Sequence, residues 1–385
     1  MPARYLTPPS PLPPPADAEA ELVASLTRIN AFNPPVQTCS TGWHHAGLYT
    51  GPSSVALLFY RLSQLYPDMT FKGQHLSDWA TAYLELGQSY LPGRSKRARV
   101  DADHCGVANE TLCQLALRAC LEHDASLAHA LCAYANSLLA PSATGGSDEW
   151  LYGRAGYLYL LRLVRASFGS GPCSHEIPVL DTVNRTIDLT INRTIDLTIN
   201  RILATATASH PWQWHGTAYV GAVHGAIGIL TQVVLASRRD QPLASHVTAK
   251  IEAMLQATMA SVQQQSPFLP ASLQAAIASA IERAQPDILA RGLLTKDPCL
   301  CHGVPTNAFA LACDAQFERY LALTASAQLE ANGAWMGKAG GSSDFVGLYT
   351  GEAGRAWMWA VADQMQRRGN GKTRWDMGII GFSDL

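Results

Sequence analysis

Six short segments place a thiol, imidazole or phenol close before a glycine that opens into an apolar run. They are Tyr49-Thr50-Gly51, His104-Cys105-Gly106, Tyr152-Gly153-Arg154-Ala155-Gly156, His224-Gly225-Ala226-Ile227-Gly228, Cys301-His302-Gly303 and Tyr349-Thr350-Gly351-Glu352-Ala353-Gly354. Imidazoles transfer protons near neutral pH, and thiols with imidazoles bind soft metals, so chemistry in this chain is sought at these positions. Glycine lets the backbone turn tightly and a helix start close against its neighbours, which puts the polar residue just before it at the helix mouth. One such turn is weak evidence, because any connection into a helix can use it. The set is strong, since units repeated around a ring would gather six or seven helix N-termini about one shared cavity.

The elements that must position these residues are helical. Leu22, Leu26 and Ile29 recur at helical spacing, and similar stripes run through Val55 to Tyr66, Leu76 to Leu91, Thr111 to Leu121 and Leu127 to Leu139. No alternating strand pattern of convincing length is present. The fold class predicted is all-α, an α/α toroid of six to seven helix-pair repeats in which each repeat buries its apolar face only against its neighbours. The gap between Gly228 and Gly303 leaves room for one further, degenerate unit. Residues 1–15 contain the proline cluster Pro8 to Pro15 and are expected to form a flexible arm; residues 16–385 are expected to form one domain. The segment NRTIDLTI occurs twice in tandem, at Asn184 to Ile191 and Asn192 to Ile199. Eight residues is not a whole number of helical turns, so the second copy is rotated by roughly 80° from the first. It is assigned no chemistry.

At 385 residues and 48% hydrophobic content the chain can bury a large core. A net charge of -2, with a single short basic patch from Arg94 to Arg99, gives no reason to expect nucleic acid or an anionic membrane as partner. Secretory-signal features are missing from the first residues, and the most apolar window, Ala218 to Ser237, contains His224, Gln232 and three glycines, so neither a leader nor a transmembrane segment is expected. The nine cysteines are scattered and mostly embedded in helical stripes, as Cys113, Cys120 and Cys132 are, which reads as buried reduced thiols and a cytoplasmic location. The sequons at Asn109, Asn184 and Asn192 then carry little weight.

Four segments carry a family resemblance: Tyr152 to Leu158, Trp214 to Gly228, Leu300 to Gly303 and Leu348 to Gly354. They resemble, in type and order, the signature segments of lanthionine synthetase C-like proteins, particularly the eukaryotic ones, and the likeness spans Trp43 to Trp359. The resemblance implies a double-layered α/α barrel of seven inner and seven outer helices, with zinc at one end of the central cavity. It further implies a thiol activated on that zinc and added to a dehydroamino acid, the thiol in eukaryotic relatives being glutathione and the acceptor a modified peptide or protein. Carried over residue by residue, Cys301 and His302 match a metal-ligand pair, and His224 matches the histidine that handles the enolate proton. Glu149 falls where relatives carry an acidic group, and Arg154 matches the arginine of the Gly-Arg-Ala-Gly-Tyr segment. Two roles stay open for His224, proton transfer or the satisfaction of backbone carbonyls at a helix mouth. Arg154 either binds a carboxylate or braces the turn, with bracing preferred.

One departure outweighs the matches. The third zinc ligand of the family is a cysteine of the fifth repeat, and here that region, Val262 to Leu273, has no Cys, His or Gly. Neither Cys nor His occurs between His246 and Cys299. Cys299 is the nearest substitute, although three ligands within four residues would all approach a metal from one side. Two functional classes follow: an enzyme adding a thiol such as glutathione to an electrophilic alkene, with weak zinc or none, or a protein using its cavity for small-molecule binding or as a scaffold. Trp43, Tyr152, Trp214, Tyr219 and Tyr349 offer an aromatic wall that would also suit an unrelated apolar metabolite.

Overall fold

A computed structural model of the chain describes residues 4–36, 46–88, 99–140, 146–169, 178–207, 210–236, 249–254, 271–332, 346–367 and 373–385. Trp43, residues 94–98 of the basic patch and residues 262–270 of the degenerate stretch lie outside them. The first half contains α1 (Ala18–Phe32), α2 (Pro52–Leu65), α3 (Leu76–Gln88), α4 (Glu110–Glu122), α5 (Ala125–Ala133), α6 (Ala135–Leu138), α7 (Arg154–Gly169) and α8 (Pro178–Ala204). The second half contains α9 (Ala226–Ala236), α10 (Ala271–Arg291), α11 (Val304–Phe309), α12 (Asp314–Leu321), α13 (Ser326–Asn332), α14 (Glu352–Gln366) and α15 (Arg374–Met377). Two short strands, β1 (Thr70–Phe71) and β2 (Gln74–His75), pair antiparallel across the left-handed residues Lys72 and Gly73 and make up the named sheet of the described residues. The all-α expectation therefore holds.

Helices α2, α4, α7, α9, α11 and α14 each begin at one of the glycine turns and form the inner layer. Neighbour packing runs from α11 to α14, α2, α4, α7 and α9, with α1 outside α14, α3 outside α2, α5 outside α4, α8 outside α7 and α12 outside α11. Two inner helices are enclosed almost completely: from Glu352 to Gln364 all positions of α14 are buried, and so are Arg154 to Val164 of α7. Outer helices bury one stripe. In α8 the tandem repeat shows its rotation, because Thr186 in the first copy is exposed while Thr194 in the second is buried.

The turns are joined edge to edge at one end of the ring. Tyr349 donates its amide to the Tyr49 carbonyl (3.0 Å), Leu48 to Val107 (2.8 Å), Cys105 to Tyr152 (2.7 Å), Trp150 to Val223 (3.1 Å) and Cys301 to Tyr349 (2.9 Å). These bonds satisfy turn amides that a buried helix mouth would otherwise leave unpaired. They also explain the second glycine of each Gly-x-x-Gly pattern: a Cβ on Gly156 would collide with the Trp150 carbonyl oxygen, and one on Gly228 with that of Ala222. Within the proline-rich arm, Leu6 donates to the Leu293 carbonyl (2.7 Å) and Thr295 to that of Arg4 (3.1 Å), so Arg4–Leu6 pair with the segment leading into the Cys301 turn.

Candidate functional site

Glu149 lies in the turn before α7, buried, and its carboxylate accepts four donors. These are the backbone amides of Leu151 (2.7 Å) and Tyr152, the Nδ1 of His224 (3.0 Å), which stands in the turn before α9, and, at 3.4 Å, the Ser147 hydroxyl. The turn-to-turn bond from Trp150 to Val223 holds the two segments side by side. With Nδ1–H directed at the carboxylate, Nε2 of His224 is the nitrogen left to take up or deliver a proton. The histidine side chain is 25% exposed against 2% for Glu149, so the imidazole is partly open while its partner is enclosed.

Trp214 fixes the imidazole plane. His215 and Gly216 both have positive φ (48° and 75°), and Trp214 and Thr217 exchange backbone hydrogen bonds around them at 2.9 and 3.0 Å. This two-residue turn, which the glycine makes easy, lays the indole on His224 with centroids 3.8 Å apart and planes 8° apart. Tyr152 lies parallel to the same pair, 6.3 Å from each ring. A cavity of about 370 Å³ opens beside the dyad, lined among others by Glu149, His224, Asp148, Arg201, His210 and Trp212. Arg154 is fully buried, pairs with Asp148 (2.8 Å) and donates to the Leu138 carbonyl (3.0 Å); it does not line that cavity. Asp148, whose other oxygen accepts from Thr205 (2.5 Å), was missed by sequence reasoning, because an acid beside Glu149 has no motif of its own.

Cys301 presents an exposed thiol to the Tyr49 hydroxyl, which donates to Sγ at 3.1 Å. Tyr49 in turn stacks on Tyr349 (5.5 Å, 9°). Burial and the Cys301 thiol push the Tyr49 phenol well above its ordinary range. The cavity beside His224 includes neither Cys301 nor His302. His302 turns Nδ1 toward Cys299, 3.6 Å from its Sγ, rather than joining Cys301 in a described contact. Burial pushes the Cys299 thiol up to about 11 and holds His302 below the usual imidazole range.

A family model described as lanthionine synthetase C-like protein matches residues 42–267. The chain belongs to the lanthionine synthetase C-like family. The match takes in the turns at Gly51, Gly106, Gly153 and Gly225, and with them Glu149, Arg154 and His224; Cys301 and His302 lie beyond it. In a lanthionine synthetase C-like ring the zinc would sit among thiol and imidazole donors at the turn end. A sulfur and a nitrogen bound to one tetrahedral zinc stand roughly 3.6 Å apart, from bond lengths of about 2.3 and 2.0–2.1 Å. Cys299 and His302 have that separation, whereas Cys301 is engaged with Tyr49. Among the described residues no group of three or more His, Cys, Asp or Glu is arranged to hold a metal ion. The donors described thus do not compose the family's three-ligand zinc set, and no catalytic step is derived through zinc. No described helix is long and apolar enough to cross a membrane.

Proposed function

We propose that this lanthionine synthetase C-like protein retains the proton-transfer half of thiol addition and adds a thiol such as glutathione to an electrophilic alkene, for example a dehydroamino acid in a modified peptide or protein. The observation that carries the reading is the buried Glu149 carboxylate on Nδ1 of His224, with the partly exposed imidazole lining a cavity. In the addition, sulfur bonds to the β-carbon and the alkene electron pair passes to the carbonyl as an enolate. His224, protonated at Nε2, then delivers its proton to the α-carbon, and the proton lost by the thiol balances the one delivered. Glu149 holds the imidazole in the orientation and tautomer that make this repeatable, and Trp214 prevents the ring from turning.

The test is incubation of the purified chain with glutathione and a dehydroalanine peptide, following adduct by mass spectrometry. His224→Asn is expected to slow adduct formation by about 10²-fold or more while the unfolding midpoint stays near wild type. Equal rates for the variant and the parent would remove His224 from the chemistry. The divergence of Cys301 from the Cys299–His302 contact favours a second reading, a small-molecule binding or scaffold protein. Saturable binding of glutathione or the peptide with no adduct would select it.

A further inference from the structure

Residues 379–385 run through the interior of the ring. Asp384 is the centre of the attachment: its carboxylate pairs with Arg61 of α2 (3.0 Å) and accepts from Tyr159 of α7 (3.0 Å) and from the Gly381 amide (3.0 Å). The Phe382 carbonyl accepts from Gln232 of α9 (2.8 Å) and from Arg162 of α7 (3.4 Å), and the Gly378 carbonyl from Trp357 of α14 (3.0 Å). Residues 379–385 thus touch α2, α7 and α9, and the adjoining Gly378 touches α14, as a segment inside the ring of these helices does. The contacting residues are the sixth to tenth of their helices, which places the segment about 8–14 Å below the glycine turns. From there an aromatic column rises to the mouth. Phe382 meets Trp150 edge-on (5.7 Å, 72°), Trp150 packs on Tyr349 (4.9 Å), Tyr349 bonds to the Ile380 carbonyl (2.8 Å) and stacks on Tyr49, and Tyr49 holds the Cys301 thiol.

We propose that residues 379–385 are the floor of the ring mouth beneath Tyr49 and the Cys301 turn, and that Asp384 is a positioning residue, fixing through Phe382, Trp150 and Tyr349 where Tyr49 and that turn stand. A carboxylate shared by two inner helices and the segment's own backbone locks the floor, and the column transmits its height to the turns. The proposal rests on reading the ring mouth as the functional site. Its test uses no turnover, so it holds or fails independently of the thiol-addition assay.

Asp384→Asn keeps an acceptor for Tyr159 and Gly381 but removes the charge facing Arg61. In the full chain, the amides of Leu48, Trp150, Cys301 and Tyr349 are expected to exchange hydrogen about tenfold faster, while α1 and α8 keep parental rates. Near-ultraviolet circular dichroism should lose the same aromatic band that Tyr349→Leu removes, and the surface control Asp196→Asn should change neither reading. Faster exchange confined to 379–385, or spread evenly over all helices, would overturn the proposal, as would an unchanged aromatic band. Should Asp384→Asn not fold, Phe382→Leu removes only the ring edge on Trp150 and is judged by the same two readings.

Discussion

Glu149→Gln is the substitution whose cost the structure lets one work out most directly. The carboxylate receives two backbone amides, an imidazole N–H and the more distant Ser147 hydroxyl, with the Leu151 and His224 bonds at 2.7 and 3.0 Å, and the side chain is 2% exposed. Glutamine has one acceptor oxygen for these donors and turns an NH₂ group toward the rest. A hydrogen bond to a charged group contributes about 1.5–3 kcal/mol, and a buried donor left unpaired costs about 1–3 kcal/mol. Relief of the buried charge offsets part of this, so the net expectation is a loss of roughly 2–4 kcal/mol. Equilibrium urea unfolding measures it, with Glu85→Gln on the exposed face of α3 as a control expected within about 0.5 kcal/mol of the parent. A loss below about 0.5 kcal/mol for Glu149→Gln would show that the carboxylate does not hold the two turns together, and the argument for an oriented His224 would go with it.

Alkylation by iodoacetamide at pH 8, read peptide by peptide, should modify Cys301 and Cys313 first among the seven cysteines of the described residues. Cys299, buried and with its thiol pushed up to about 11, should react slowly, as should Cys105 and Cys113; early reaction at Cys299 would contradict its burial. Burial also pushes the Glu352 carboxyl up to about 7, against the pull of Arg28. A carboxyl raised on folding binds its proton more tightly in the native state, so its contribution is complete below about pH 4.5 and is lost as pH rises through 7. Between pH 5 and 7.5 the parent should therefore lose more stability than Glu352→Gln, and parallel pH profiles would refute this.

The ring was legible because its signal is repetitive: each glycine turn is followed by an apolar helix, and each such helix start with described residues lies at the common end. Glu149 and His224 were each singled out through the family motifs, but their pairing was not, because it depends on how the turns before α7 and α9 lie side by side and on the Trp214–Thr217 turn. The segment 379–385 was not legible, since Phe382 and Asp384 belong to no periodic stripe and their partners on the inner helices are more than a hundred residues away in sequence. The pairing of Arg4–Leu6 with Leu293–Thr295 was hidden for a similar reason, because proline content says which elements a segment avoids and not where it docks. Nor could spacing decide between Cys299 and Cys301 as the neighbour of His302, which depends on how the backbone turns between Asp297 and Gly303.

The ring keeps its imidazole–carboxylate pair, while among the described residues its thiol and imidazole donors do not converge as a three-ligand zinc set. Elemental analysis of protein purified without added zinc is the decisive measurement. With at most Cys299 and His302 suitably spaced, the expected content is well under one zinc per chain, because a site with two protein ligands loses much of the affinity and preorganisation of three. One tightly held zinc per chain, lost in Cys301→Ala, would contradict the account and restore the family's metal chemistry.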